Sequence, residues 1–272
     1  MMGRNTIISL SLVVIIIFMG LTLIFGQEDY TRDEYLLLQR FKIANSIFEK
    51  AQSYYLEGNY KKAERELKKC LEKMPEHADA YFYLSHISYK QENLELSLNQ
   101  IIKAKENYKY ITQLKLNREQ MHIIQIQDRK REVQEIIDGL KQKLSRTTDQ
   151  RERSAIQADI GRMEGMLTEL DSRLSRPMPT IQKEEEIPAD YFYLHGNILF
   201  KLKRYKEAHE QYQKTIELNP KHGNAYNNLA NLYYIEKEYQ KALDYLNLAE
   251  ENGTQINPEF KKAILKALKK TL

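Results

Sequence analysis

Residues 204–220 read RYKEAHEQYQKTIELNP, residues 238–253 read EYQKALDYLNLAEENG, and residues 59–75 read NYKKAERELKKCLEKMP. All three hold an aromatic and an alanine in step, and two close on proline, while the charged residues drift. Ala208 and Ala242 lie 34 residues apart, as do Tyr205 and Tyr239, and Phe192 and Tyr226; Ala44 and Ala78, and Ile47 and Tyr81, keep the same interval. Pairs of short amphipathic helices returning at that interval stack, each pair burying one stripe internally and another against the next pair. Large residues therefore recur where there is room and small ones where backbones approach. The drifting charges mark the positions that face water.

Composition agrees with an all-helical chain. Of 272 residues, only 10 are glycine and 6 proline, too few for the many turns of a sandwich or barrel, while 42% are hydrophobic, enough for a sizeable core. The formal charge of +4 is spread over 42 basic and 38 acidic residues, so no strong single-sign field surrounds the molecule and nucleic acid is not an expected partner. Cys70, the one cysteine, can neither close an internal disulfide nor build a zinc site alone, and its helical pattern suggests a small buried side chain.

Four copies of the pattern can be written. The first, 44–77, has Ala51, Tyr54, Gly58, Tyr60, Ala63, Leu67 and Pro75; the second, 78 to about 110, keeps Tyr81, Leu84, Ile101 and Ala104, with Ser97 for the alanine and no closing proline. The third, 189–222, has Phe192, Gly196, Leu199, Tyr205, Ala208, Tyr212 and Pro220; the fourth, 223–256, has Tyr226, Leu229, Ala230, Tyr233, Ala242 and Ala249. In these residues, about half of the chain, the sequence resembles the tetratricopeptide repeat (TPR) family. Residues 257–272 open with Asn257 as N-cap and Pro258 at the first helical position, with Phe260, Ile264 and Leu268 on one face, as a capping helix would. TRDE at 31–34 forms a capping box, and no Gly or Pro follows before Gly58, so the leading helix of the N-terminal pair (31–110) is expected to start early.

Between the pairs the period changes to heptads. Leu116, Ile123, Ile126, Val133, Ile137, Leu140 and Leu144 alternate at three and four spacing, as do Ile156, Ile160, Met163, Leu167, Leu170 and Leu174, with polar SRTTDQRERS between the two runs. Folded back antiparallel, they pair Leu144 with Ile156, Leu140 with Ile160, Ile137 with Met163, Val133 with Leu167 and Ile126 with Leu174; only Lys130 opposite Leu170 breaks the apolar rule. The expected fold is all-α: TPR helical-hairpin repeats, an α-solenoid, interrupted over 111–176 by a long antiparallel coiled-coil hairpin. At 1.5 Å per residue an arm of about 30 residues reaches on the order of 45 Å. A proline-bounded linker, 177–188, leads back to the C-terminal pair, 189–256. The pattern leaves open whether the two pairs touch.

Residues 1–26 carry Arg4 and then an apolar run from about Thr6 to Phe25, with Glu28 and Asp29 beyond it. The run is long enough to span a bilayer, which favours an uncleaved anchor; small Gly26 before Gln27 keeps a cleaved signal peptide open. Either option exports the rest. The anchor puts the bulk outside the cytoplasm, in the periplasm if the source is bacterial, with the membrane contacted through residues 6–25. Cleavage would instead make the protein secreted.

No nucleophile, metal or phosphate constellation accompanies the six histidines His77, His86, His122, His195, His209 and His222, and GxxxxGK[ST], GxGxxG and GxSxG are absent. The expected protein is therefore not an enzyme and uses no cofactor. The TPR resemblance implies instead that the first helix of each repeat lines a groove for peptide or helix segments of partner proteins. Carried over position by position, the C-terminal groove offers Tyr193, Asn197, Phe200, Lys201, Asn227, Asn228, Asn231 and Tyr234, and the N-terminal one Phe48, Gln52, Tyr55, Phe82, His86 and Tyr89. The family's charged clamp for a C-terminal carboxylate uses Lys where this chain has Tyr193, so that specificity is not implied. The expected function is a scaffold of the cell envelope with the hairpin as spacer or second docking arm. The alternative is a structural protein that self-associates as a homo-oligomer through the coiled coil.

Overall fold

The computed structural model describes residues 32–175 and 186–271. Among the described residues there are ten helices and no strand: α1 Arg32–Leu56, α2 Tyr60–Lys73, α3 Ala78–Lys90, α4 Leu94–Arg146, α5 Gln150–Leu174, α6 Ala189–Lys201, α7 Tyr205–Leu218, α8 Gly223–Ile235, α9 Tyr239–Glu251 and α10 Pro258–Thr271. The expected anchor or signal peptide over 1–26, Thr31 of the capping box and most of the 177–188 linker lie outside the described residues. Among the described residues no helix is long and apolar enough to cross a membrane.

Four antiparallel pairs follow the repeat: α1–α2, the start of α4 on α3, α6–α7 and α8–α9. Each pair turns at the same repeat position, through a residue in the left-handed region: Gly58 (φ 76°), Glu92 (φ 60°), Lys203 (φ 60°) and Lys237 (φ 65°). The turn closes alike each time; in the third copy Lys203 N–H donates to Phe200 O and Arg204 N–H to Leu199 O, and in the first Gly58 N–H donates to Tyr55 O and Asn59 N–H to Tyr54 O. Only the first copy uses glycine, the residue with no Cβ penalty there. Lys203→Gly and Lys237→Gly are each expected to stabilise the protein by about 0.5–1 kcal/mol in urea unfolding. A loss of stability in both would mean that φ is not the strained coordinate.

Packing explains which letters the repeat keeps. A Cβ at Gly196 would sit 2.6 Å from Cε1 of the buried Tyr212, so the aromatic of α7 requires the missing side chain on α6. Ser97, the departure from alanine in the second copy, is paid back in hydrogen bonds: Ser97 Oγ donates to Ser85 O at 2.7 Å and Ser85 Oγ donates to Ser97 O at 2.8 Å. Beside them Ser88 Oγ donates to Gln100 Oε1 at 2.8 Å, so this α3–α4 contact is polar yet satisfied. Cys70 is fully buried, and burial together with the nearby Asp79 pushes its thiol up to about 12, which leaves it unreactive. At the C-terminal end Asn257 Oδ1 accepts from Glu259 N–H at 2.9 Å, and α10 buries Ile264 with Phe260 and Leu268 against the repeat core.

The chain divides into two compact units. One unit combines Arg40–Gln113 with Gln182–Leu272 and so holds all four repeats together. Tyr191 of α6 is 4% exposed, stacks on Phe82 of α3 with centroids 4.3 Å apart, meets Tyr108 edge-on at 5.4 Å, and donates its hydroxyl to Asp79 Oδ1 at 2.8 Å. The third repeat thus docks on the second as the next copy in line, although most of α4 and all of α5 separate them in sequence.

In the other unit, the C-terminal part of α4 and α5 form an antiparallel helical hairpin. The α4 helix has no glycine or proline from Leu94 until Gly139, and it runs unbroken through the expected boundary near residue 110. Ile126, Val133, Ile137, Ile156, Ile160 and Leu170 form the buried seam, flanked by Leu140, Leu144, Met163, Met166, Leu167 and Leu174. Lys130, the polar residue on the seam, reaches Asp171 Oδ1 at 2.5 Å, and Lys141–Glu164 (3.3 Å) and Lys143–Glu152 (3.0 Å) line the edges. At the tip Arg153 donates to Leu144 O (3.0 Å) and Thr147 O (2.9 Å), and Asp149 caps α5 by accepting from Glu152 N–H at 2.8 Å.

Candidate functional site

The first helices of the four repeats, α1, α3, α6 and α8, touch one another in succession. Between α1 and α3, Gln52 Nε2 donates to Tyr83 OH at 2.8 Å, and Tyr55 meets Tyr83 (4.8 Å) and His86 (6.0 Å) edge-on. Between α3 and α6, the Lys201 ammonium lies 4.5 Å over the Tyr89 ring and 2.5 Å from Glu92 Oε1. Between α6 and α8, Asn228 Nδ2 donates to Asn197 Oδ1 at 2.8 Å. The sequence suggested two grooves, and the structure brings their residues into one row across all four repeats.

The row sorts the candidates by what they already hold. Phe48 is a correction: it is only 7% exposed, packed on the rings of His77 (5.0 Å) and Tyr83 (5.6 Å), and belongs to the core. Asn197 is committed too, because its Oδ1 also accepts from Tyr212 OH at 2.9 Å. Phe82 has one face covered by Tyr191, Phe200 leans on Tyr205 at 5.5 Å, and Tyr234 sits between Tyr239 and Phe260, both at 5.5 Å. Asn231 Nδ2 donates to Asn227 O at 2.8 Å, which leaves the Asn231 side-chain carbonyl and the Asn227 amide on a half-buried surface. Gln52, Tyr55, His86, Tyr89 and Tyr193 are half-buried, with apolar area and polar tips together.

Charge on this face is sparse and local. Asp190, at the start of α6, is held below the usual carboxylate range, chiefly by His222, whose Nε2 lies 3.6 Å away. Burial, with Lys90 nearby, lowers the pKa of His86 against the opposing effect of Asp190. Tyr83, Asp190 and His222 were not among the sequence candidates. Asp190 and His222 stand at the entry to first helices, where the repeat pattern assigns no role, and only stacking brings them to this face.

Beneath the joint lies a second polar cluster. Lys105 of α4 places its ammonium 4.0 Å over the Phe192 ring, donates to Gln211 Oε1 at 2.9 Å and lies 3.4 Å from His195 Nδ1. Burial lowers the lysine to about 8 and, with Lys105 beside it, the histidine to about 4. An unfolded lysine titrates near 10.4, so between about pH 8 and 10.4 the unfolded chain binds the proton that folded Lys105 has released, and this group's contribution to stability rises with pH. Lys105→Met is therefore expected to exceed the wild type in stability at pH 7, with the gap closing as pH rises through that window. Chemical unfolding of both proteins at each pH checks this, the difference cancelling the tyrosines common to both.

The tetratricopeptide repeat family model matches residues 48–107 and 193–255, the segments that form the row. Both segments are tetratricopeptide repeats. The TPR segments have curated relatives: Stress-induced-phosphoprotein 1 of Caenorhabditis elegans is 35% identical over 66 residues, 24% of this chain and 21% of the relative. Heat shock protein STI1 of Saccharomyces cerevisiae is 34% identical over 85 residues, 31% of this chain and 14% of the relative. The chain thus spans 21% and 14% of the length of these relatives. Among solved structures, pilF of Pseudomonas aeruginosa is similar at 18% identity and a TM-score of 0.37, over 86% of this chain and 93% of that one. TPR proteins generally mediate protein–protein interactions.

Proposed function

We propose that the protein is a non-enzymatic scaffold that holds an extended or helical segment of a partner protein along the first-helix face of its four TPRs. The observation that carries this reading is the set of contacts Gln52–Tyr83, Lys201–Tyr89 and Asn228–Asn197, one at each step between successive first helices, which supports a single recognition face drawn from two sequence segments. Tyrosine edges with free asparagine amide and carbonyl groups suit a peptide backbone, which both donates and accepts. The helical hairpin would serve as spacer or second docking arm. The apolar run over 6–25 would tether the protein to a membrane with its bulk outside the cytoplasm.

The test is affinity capture from the native membrane with the whole chain, followed by peptide scanning of the captured protein. Tyr89→Ala combined with Asn231→Ala should weaken binding of the scanned peptide by about tenfold or more, since aromatic anchors at such faces carry over 1 kcal/mol each. Unchanged affinity would overturn the proposed face. Capture that survives deletion of residues 112–176 would remove the arm from recognition.

A further inference from the structure

Lys105 differs from the ion-paired lysines of the repeats in what surrounds it. Lys69, Lys201 and Lys241 sit on carboxylates, Glu66 at 3.0 Å, Glu92 at 2.5 Å and Glu238 at 2.5 Å. Among the described residues Lys105 makes no ion pair: its neighbours are a neutral amide, an imidazole and the face of a phenyl ring. Its side chain is half-buried. The charges nearest its partner His195 are Arg204 and Glu207, which bond each other at 2.7 and 2.5 Å and largely cancel. Gln211 also bonds His195, so α4, α6 and α7 converge on one amine with no anion to hold its proton.

We propose that Lys105 is a covalent modification site, a nucleophilic amine poised at the joint between the second and third repeats and acylated by small activated acyl donors of the acyl-phosphate class. The ammonium first releases one proton to water, and the free lone pair attacks the acyl carbonyl carbon. A C–N bond forms as the C–O bond to phosphate breaks, and inorganic phosphate leaves with the second nitrogen proton. The product is a neutral amide. It removes the charge facing Phe192 and inserts an acyl group where α4 meets α6 and α7, so acylation is expected to loosen the joint. The free-amine fraction near neutral pH, raised by the burial that lowers Lys105 to about 8, makes this chemistry competitive.

The test treats the full-length protein with acetyl phosphate under limiting conditions and reads site-resolved acetylation rates by mass spectrometry from about pH 7 to 10. Lys105 should react about tenfold faster than the median lysine near neutral pH, because its larger amine fraction outweighs the lower intrinsic nucleophilicity of a weaker base. Its rate should level off above about pH 8 while the others continue to climb. Gln211→Glu places a carboxylate where the amide oxygen now accepts at 2.9 Å, and should suppress acetylation at Lys105 about tenfold without changing the remaining lysines. Circular dichroism of that variant shows whether it is folded, and the wild-type pH profile stands independently of it. A Lys105 rate at or below the median, a rate rising in parallel with the others to pH 10, or an indifferent folded Gln211→Glu variant each overturns the proposal.

Discussion

Tyr191→Ala is expected to lower the stability of the four-repeat unit by about 3–5 kcal/mol, the range for removing a fully packed large aromatic. Tyr191 is 4% exposed and meets the second repeat by three routes: the stack on Phe82, the edge contact with Tyr108 and the hydroxyl donated to Asp79. In a stack of repeats, stability is close to a sum of intrinsic repeat terms and nearest-neighbour interfaces, so a broken interface uncouples what lies on either side. Urea unfolding of the variant should show a broader transition with a lower apparent m-value, the N-terminal and C-terminal pairs melting separately. Tyr191→Phe keeps the ring contacts and loses only a charge-assisted hydrogen bond, about 1.5–3 kcal/mol, and the transition should stay single. A loss below about 1 kcal/mol for the alanine variant would mean that the two pairs do not depend on this joint.

Val133→Asp should open the helical hairpin and leave the repeats folded. Val133 is fully buried in a seam of few residues, one cluster with Ile126 and Ile137 of α4 and Ile156, Ile160 and Leu170 of α5. A carboxylate there must be desolvated without a partner or protonated, at a penalty of several kcal/mol, and a seam of this size has little reserve. Hydrogen exchange resolved by peptide should show protection lost along 126–174 and retained over 48–107 and 193–255. Gly139→Asp is the control, since a Cβ at Gly139 meets nothing within 4 Å, and protection should persist. Equal loss of protection in both units would show that the hairpin and the repeats fold as one.

Those two variants probe different depths of legibility. The helices, their pairing and the four turns follow from local rules: an aromatic, a small residue and a turn residue at a fixed interval, each readable within one copy. The seam of the hairpin is similarly visible, because heptad spacing places Val133, Ile137, Ile156 and Ile160 on facing stripes without reference to anything distant. The candidate face was legible as positions but not as availability. Asn197 reads as an open amide until Tyr212 from one helix and Asn228 from another are seen to satisfy its carbonyl oxygen. Phe48 reads as a groove aromatic until the rings of His77 and Tyr83 close over it. The Lys105 cluster gave no signal in the sequence, since Phe192, His195 and Gln211 lie about 90 residues or more away and each fits its own repeat unremarked.

By itself the sequence determined the all-helical class, the 34-residue unit and the absence of recognisable catalytic motifs, because each depends on side-chain size and spacing within a few helical turns. The tertiary structure decided that the two repeat pairs form one row, that Tyr191 and Phe82 join them, and that a lysine without a carboxylate sits at that joint. The physical reason is range: helix formation is set by neighbours in the chain, whereas desolvation and docking are set by whichever surfaces the folded chain brings together.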